Sequence, residues 1–157
     1  EGRPGDEALI ESLMQLLAQG AVDFTIFWRR LSLAAAVYAD PAQDPHSVQA
    51  AIEPVRDLFV QREALDAWAQ TWRERLRAEP GFDPAAIQAR MLATNPQVVL
   101  RNHLGEIAIR HAREGDFAPL HRPQAALAQP FTALPGHDDL ADFPPDWAAH
   151  IEISCSS

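Results

Sequence analysis

Six histidines and a single cysteine are the residues best suited to metal binding or nucleophilic chemistry, and their spacing tests that idea directly. His103 and His111 share one face of a helical segment but lie about 12 Å apart along its axis, at ~1.5 Å per residue. Two imidazoles at that distance do not meet on one ion, and neither has a His or carboxylate four residues away. His121, His137 and His150 stand in irregular or solvated stretches, so no metal site is expected. Glu106 and Glu114 have acid/base chemistry, but Glu106 precedes Arg110 by four residues, the spacing of a surface ion pair. Arg101 and Asn102 are harder to dismiss. An arginine at the inner edge of a buried helix needs an acceptor, and either a structural ion pair or a substrate contact would supply one. Trp28, Trp68 and Trp72 recur at helical spacing, which core packing explains without a ligand pocket. Cys155, third from the last residue, has no second cysteine for an intrachain disulfide or a multi-cysteine zinc site. No catalytic constellation emerges from these residues.

The elements that would hold them read as consecutive helices. Asp6 is the expected cap for "EALIESLMQLLAQ", with Leu9, Leu13, Leu16 and Leu17 at helical spacing before Gly20. Asp23 should cap "FTIFWRRLSLAAAVYA". Pro41 and Pro45 make "DPAQDP" a linker, Ser47 restarts a helix, and Pro54 bends it or begins another. In "REALDAWAQTWRERLRAE", Leu65, Trp68, Trp72 and Leu76 form the inner stripe. Asp83-Pro84 and Asn95-Pro96 both look like a capping side chain followed by a first-turn proline. They would open "PAAIQARMLAT" and "PQVVLRNHLGEIAIRHARE", the second burying Val99, Leu104 and Ile107. Asp116 should cap a further helix. From Thr132 the pattern becomes a Pro- and Asp-rich loop with one helical turn at 145–148, and "HIEIS" alternates as a short strand or extended tail. Trp147, Ile151 and Ile153 would pin that tail to the helices.

Composition narrows the function. The formal net charge of -9 and pI near 5.0 argue against nucleic-acid or anionic-membrane partners. All basic residues are arginine, so no phosphate-pairing or Schiff-base lysine exists here. The chain opens with "EGRPGDEA" rather than Met and is expected to be a piece of a longer protein. Its expected class is all-α, with a helical segment over 1–131 and a loop and extended tail over 132–157.

"NPQVVLRNHL" at 95–104, "AREGDF" at 112–117 and the ending "PPDWAAHIEISCSS" resemble, in that order, the C-terminal region of the selenoprotein O (SelO) family. "VDFTIFWRRLS" and "IEPVRDLFVQREALDAWAQTWRERL" fit the same region; Asn95, Pro96, Arg101 and Asn102 fall, like the terminal Cys-Ser-Ser, in its most specific parts, and Trp147 in its closing motif. The resemblance implies the helical C-lobe part of a protein-kinase-like fold. It implies a parent enzyme that transfers AMP from ATP, with magnesium, to Ser, Thr or Tyr hydroxyls of proteins. The ATP and metal residues would lie in an upstream kinase-like domain, the partner of this segment, and no catalytic residue maps here. Bacterial members are expected in the cytoplasm and eukaryotic ones in mitochondria.

By the same resemblance, Cys155 stands where some members carry selenocysteine. It would act as a redox latch with a cysteine of the activation-loop region; the alternative is an inert terminal thiol. Pro123 departs from the family pattern, so the helix from Asp116 is expected to be kinked or split. The rival functional reading is an independent helical interaction module that binds a partner through its apolar face.

Overall fold

Aspartates mark most of the helix starts. The computed structural model describes residues 3–151, apart from the side chains of Ala149 and His150, and its regular elements are all helical. Asp23 accepts from the Ile26 amide at 2.9 Å and opens α2 (Phe24–Ala39). Asp44 accepts from the amides of His46 and Ser47 and opens α3 (Pro45–Arg56). Asp83 does the same for Ala85 and Ala86 at the start of α5 (Pro84–Thr94). Each carboxylate satisfies amides that have no partner in the first helical turn. The others are α1 (Asp6–Gln19), α4 (Arg62–Arg77), α6 (Asn102–Arg113) and α7 (Ala118–Ala128), with 3-10 turns at Asp138–Leu140 and Asp146–His150.

The chain divides into two compact units at the Asn95–Pro96 bond. In the first, α2 packs against α3, α4 and α5, and α1 lies on α4. Phe27 and Leu31 are fully buried, with Leu13, Val55, Leu65 and Trp68 around them. Phe27 meets Trp28, Phe59 and Trp68 edge-on at ring distances of 5.3, 5.8 and 6.4 Å, an arrangement that suits the ring quadrupoles. In the second unit α6 packs on α7 over a small core of Val98, Ala126 and Leu140. Arg122 ties α7 to the loop after it, donating to the Gly136 carbonyl and to Asp139 at 2.6 Å each.

Several expectations need correction. Asn95-Pro96 does not open a helix. Asn95 closes α5, its amide donating to the Met91 carbonyl at 2.9 Å, and residues 96–101 are not helical. The amides of Gln97 and Val98 donate instead to the Pro130 carbonyl at 2.7 and 3.3 Å. That change of register puts Val98 inside, while Val99, Leu104 and Ile107 are half-buried. Trp72 and Leu76 are likewise half-buried beside the fully buried Leu65. Asp6 is the first residue of α1 rather than its cap, the left-handed Gly5 preceding it. α3 begins at Pro45, not Ser47, and continues through Pro54. Pro123 does not split α7, which runs from Ala118 to Ala128; the proline leaves the Pro119 carbonyl without its helical donor. The final turn spans Asp146–His150, as a 3-10 helix. Strand "HIEIS" falls, from Glu152 on, outside the described residues.

Arg75 joins α1 to α4, donating to both carboxylate oxygens of Asp6 at 2.5 and 3.0 Å. Those bonds, with one from the Arg3 amide, hold the Asp6 pKa at about 2. A carboxyl whose folded pKa is depressed stabilises the fold above its unfolded pKa and loses that contribution as pH falls through the folded value. Wild type should therefore lose stability more steeply than Asp6→Asn between about pH 4 and 2, and the two should converge below. Urea melts at stepped pH measure this; parallel curves would remove Asp6 from the acid response. Phe27→Ala should cost ~3–5 kcal/mol by cavity formation, against under ~1 kcal/mol for the exposed Phe24→Ala. The same melts at neutral pH compare the two.

Candidate functional site

Asn95 has a structural role. Its side-chain amide donates to the Ser32 hydroxyl at 3.0 Å, and that hydroxyl donates to the Trp28 carbonyl at 2.6 Å. Ser32 is fully buried in the middle of α2. One helical turn before Ser32, the Arg29 guanidinium donates to the carbonyls of Leu92 and Asn95 at 3.3 and 3.2 Å. Burial of Arg29 lowers its pKa from the usual arginine value. Three polar residues thus fix the end of α5 onto α2. Composition and spacing single out neither Ser32 nor Arg29. The one trace of the former is a serine set among apolar residues in "RRLSLAAA".

In the second unit Arg101 immediately precedes α6 with extended backbone, half-buried. Asn102 is exposed at the first helical position, and its amide donates to the Ile151 carbonyl through a long 3.5 Å hydrogen bond. His103 is buried, its ring set edge-on to Trp147 at 6.0 Å and 86°. Burial first, and the Arg101 charge second, lower the His103 pKa, which favours the neutral imidazole. Trp147 keeps about half its surface in water (52% exposed), so it is docked along one side only. Ile153 and Cys155 lie outside the described residues.

The remaining candidates separate into ordinary roles. Glu106 accepts from Arg110 at 2.8 Å, as its spacing suggests. His111 pairs with Asp116 at 3.0 Å, and Asp116 also accepts from the Ala118 amide. Trp68 stacks on Trp72 at 5.8 Å, and Trp72 on Tyr38 at 6.0 Å. Trp28 and Trp72 also line a groove of about 720 Å³ with Leu76, Phe82, Ile87 and Met91, along which Glu79, Asp83 and Arg90 lie. Among the described residues no three His, Cys, Asp or Glu side chains converge as metal ligands. No helix among the described residues is long and apolar enough to cross a membrane.

The family model described as "Protein adenylyltransferase SelO" matches residues 2–127. The chain is 49% identical over 156 residues to the protein nucleotidyltransferase YdiU of Cupriavidus pinatubonensis, covering 99% of this chain and 28% of the relative. It is 45% identical over 157 residues to the protein of the same name from Ralstonia nicotianae, covering 100% and 28%. With the one from Variovorax paradoxus it shares 46% identity over 157 residues, covering 100% and 29%. The chain thus spans less than a third of the length of these curated relatives.

Asn95→Ala should cost about 1–3 kcal/mol, because it leaves the buried Ser32 hydroxyl short of a donor. In a double-mutant cycle with Ser32→Ala the coupling should be at least ~0.5 kcal/mol. Strict additivity in denaturant melts would show that the two side chains do not act together.

Proposed function

The chain belongs to the SelO family of protein adenylyltransferases, and on that premise we propose that it is a structural segment of an enzyme that moves AMP from ATP onto Ser, Thr or Tyr hydroxyls of other proteins. In that reaction the acceptor oxygen bonds to the α-phosphorus and pyrophosphate leaves. The observation that carries the reading is identity of 44–49% to nucleotidyltransferases along nearly the whole chain. The seven α-helices of the described residues would form part of the lower, helical lobe of a kinase-like body. ATP and magnesium would be held by parts of the protein outside this chain. Nucleotidyl transfer needs cations and a metal placed around the phosphates, and the chain has no lysine to contribute. The setting would be the bacterial cytoplasm, and the partners the kinase-like domain of the same protein and its protein substrates.

Cys155 is assigned the role of a redox latch. Its thiolate would form a disulfide with a cysteine elsewhere in the full-length protein, two electrons passing to a disulfide oxidant. The resemblance alone supports this assignment, since Cys155 lies outside the described residues.

Three measurements test the reading. With ATP labelled at the α-phosphorus, the full-length protein should label protein hydroxyls; label arriving only from the γ-phosphorus would make it a kinase instead. Isothermal titration with Mg-ATP should detect no low-micromolar binding by this chain alone, and such binding would move the nucleotide site into it. The full-length Cys155→Ser variant should keep its activity under reducing conditions and lose any response to oxidant. An unchanged response would leave the thiol without a regulatory role.

A further inference from the structure

Two residues in the first turn of α6 hold the segment from Asp146 to Ile151, and they hold it by different means. Asn102 donates to the Ile151 carbonyl, while His103 lies edge-on against the Trp147 indole. The two holding residues are adjacent in sequence, and the two points held are four residues apart. Trp147 is half in water, so its position depends on the few contacts its inner side makes. His103 is the deepest of these groups, at 8% exposure, and its Nδ1 has no hydrogen-bond partner among the described residues. We propose that the first turn of α6 is a clasp for the C-terminal segment, with His103 as its positioning residue, and that protonation of His103 opens it.

The charges around the ring favour the neutral form. Burial disfavours the imidazolium, and the Arg101 guanidinium repels it. Among the described residues no carboxylate offsets them. On α6, Glu106 is engaged by Arg110; near α7, Asp139 is engaged by Arg122; Asp146, beside Trp147, adds nothing to the balance at the ring. The indole face offers a protonated ring a cation–π gain, but that gain competes with burial and with a second cation close by. With the clasp closed, His103 therefore titrates below its ordinary value of 6.5; with the clasp open, the solvated ring returns to it. The clasp is then fully closed above that value, and its closure weakens as pH falls below it toward the closed-state pKa. The inference goes beyond adenylyl transfer and holds whether or not Cys155 is a latch.

Histidine C2–H exchange, read by mass spectrometry on the full-length protein, gives the pKa of His103 without any mutation. Amide exchange on the same samples, normalised for the intrinsic effect of pH, gives the protection of Trp147 to Ile151. The expected result is a His103 pKa below 6.5 and a loss of protection of up to ~10-fold per pH unit beneath it. His103→Phe should keep protection at both ends of the range, and Asn102→Ala should lower it equally at both. A His103 pKa above 6.5 with a tighter segment in acid would overturn the proposal, showing cation–π attraction to dominate. Equal pH dependence in wild type and His103→Phe would overturn it as well. If the variant does not fold, the wild-type curves still decide, since protection must begin to fall near 6.5 and level off at the measured His103 pKa.

Discussion

Every helix that ends against other structure leaves carbonyl groups in need of donors, and here arginines from neighbouring elements supply them. Arg77 on α4 reaches the last carbonyl of α2, at Ala39, at 2.7 Å. Arg30 on α2 reaches Pro54 in the last turn of α3 at 2.7 Å, and Arg3 reaches Ala78 just past α4 at 2.8 Å. Arg29 takes two carbonyls at the end of α5. Each contact puts a cation at the negative end of a helix dipole while joining two elements distant in sequence. Remove these donors and the helices keep their internal bonds, but their ends are left unsatisfied and their mutual placement loosens.

Arginine suits this role in a way lysine does not. A guanidinium presents five donors in a planar fork, so one side chain can serve two acceptors. Arg75 holds both oxygens of Asp6 and also Glu79; Arg56 holds Asp66 and Glu53. Several of these pairs are partly solvated, and each contributes little alone. Their value lies in setting angles between helices whose apolar faces supply most of the stabilisation. An all-arginine cation set, ordinary as a compositional bias, is thus put to consistent structural use.

This division of labour explains which features the sequence reveals. Helix positions follow from local chemistry: the caps at Asp23 and Asp83 and the stripe through Leu65 and Trp68 need only neighbouring residues. Asn95-Pro96 has the same local pattern as Asp83-Pro84, yet the outcome differs. The Asn95 amide is taken by Ser32, 63 residues away, and Pro130 offers a carbonyl to Gln97 and Val98. No window around residue 95 contains either partner. The motif residues Asn95, Asn102 and Trp147 are visible as a family pattern, but their roles rest on long-range contacts that spacing does not encode. Family membership is legible because several separated motifs occur in one order; the physical reason for each motif requires coordinates.

The same contacts bear on where the chemistry of the family would reside. A nucleotide site requires cations aimed at phosphate oxygens and not already held by protein acceptors. In this chain Arg3, Arg29, Arg30, Arg75 and Arg77 point at carbonyls or carboxylates of their own fold. Turning one outward would unsatisfy a helix end, at a cost of about 1–3 kcal/mol for each buried acceptor left bare. A net charge of -9 adds a general repulsion for polyphosphate. The positive charge of these five arginines is used to assemble helices, in keeping with the scaffold role proposed for this segment.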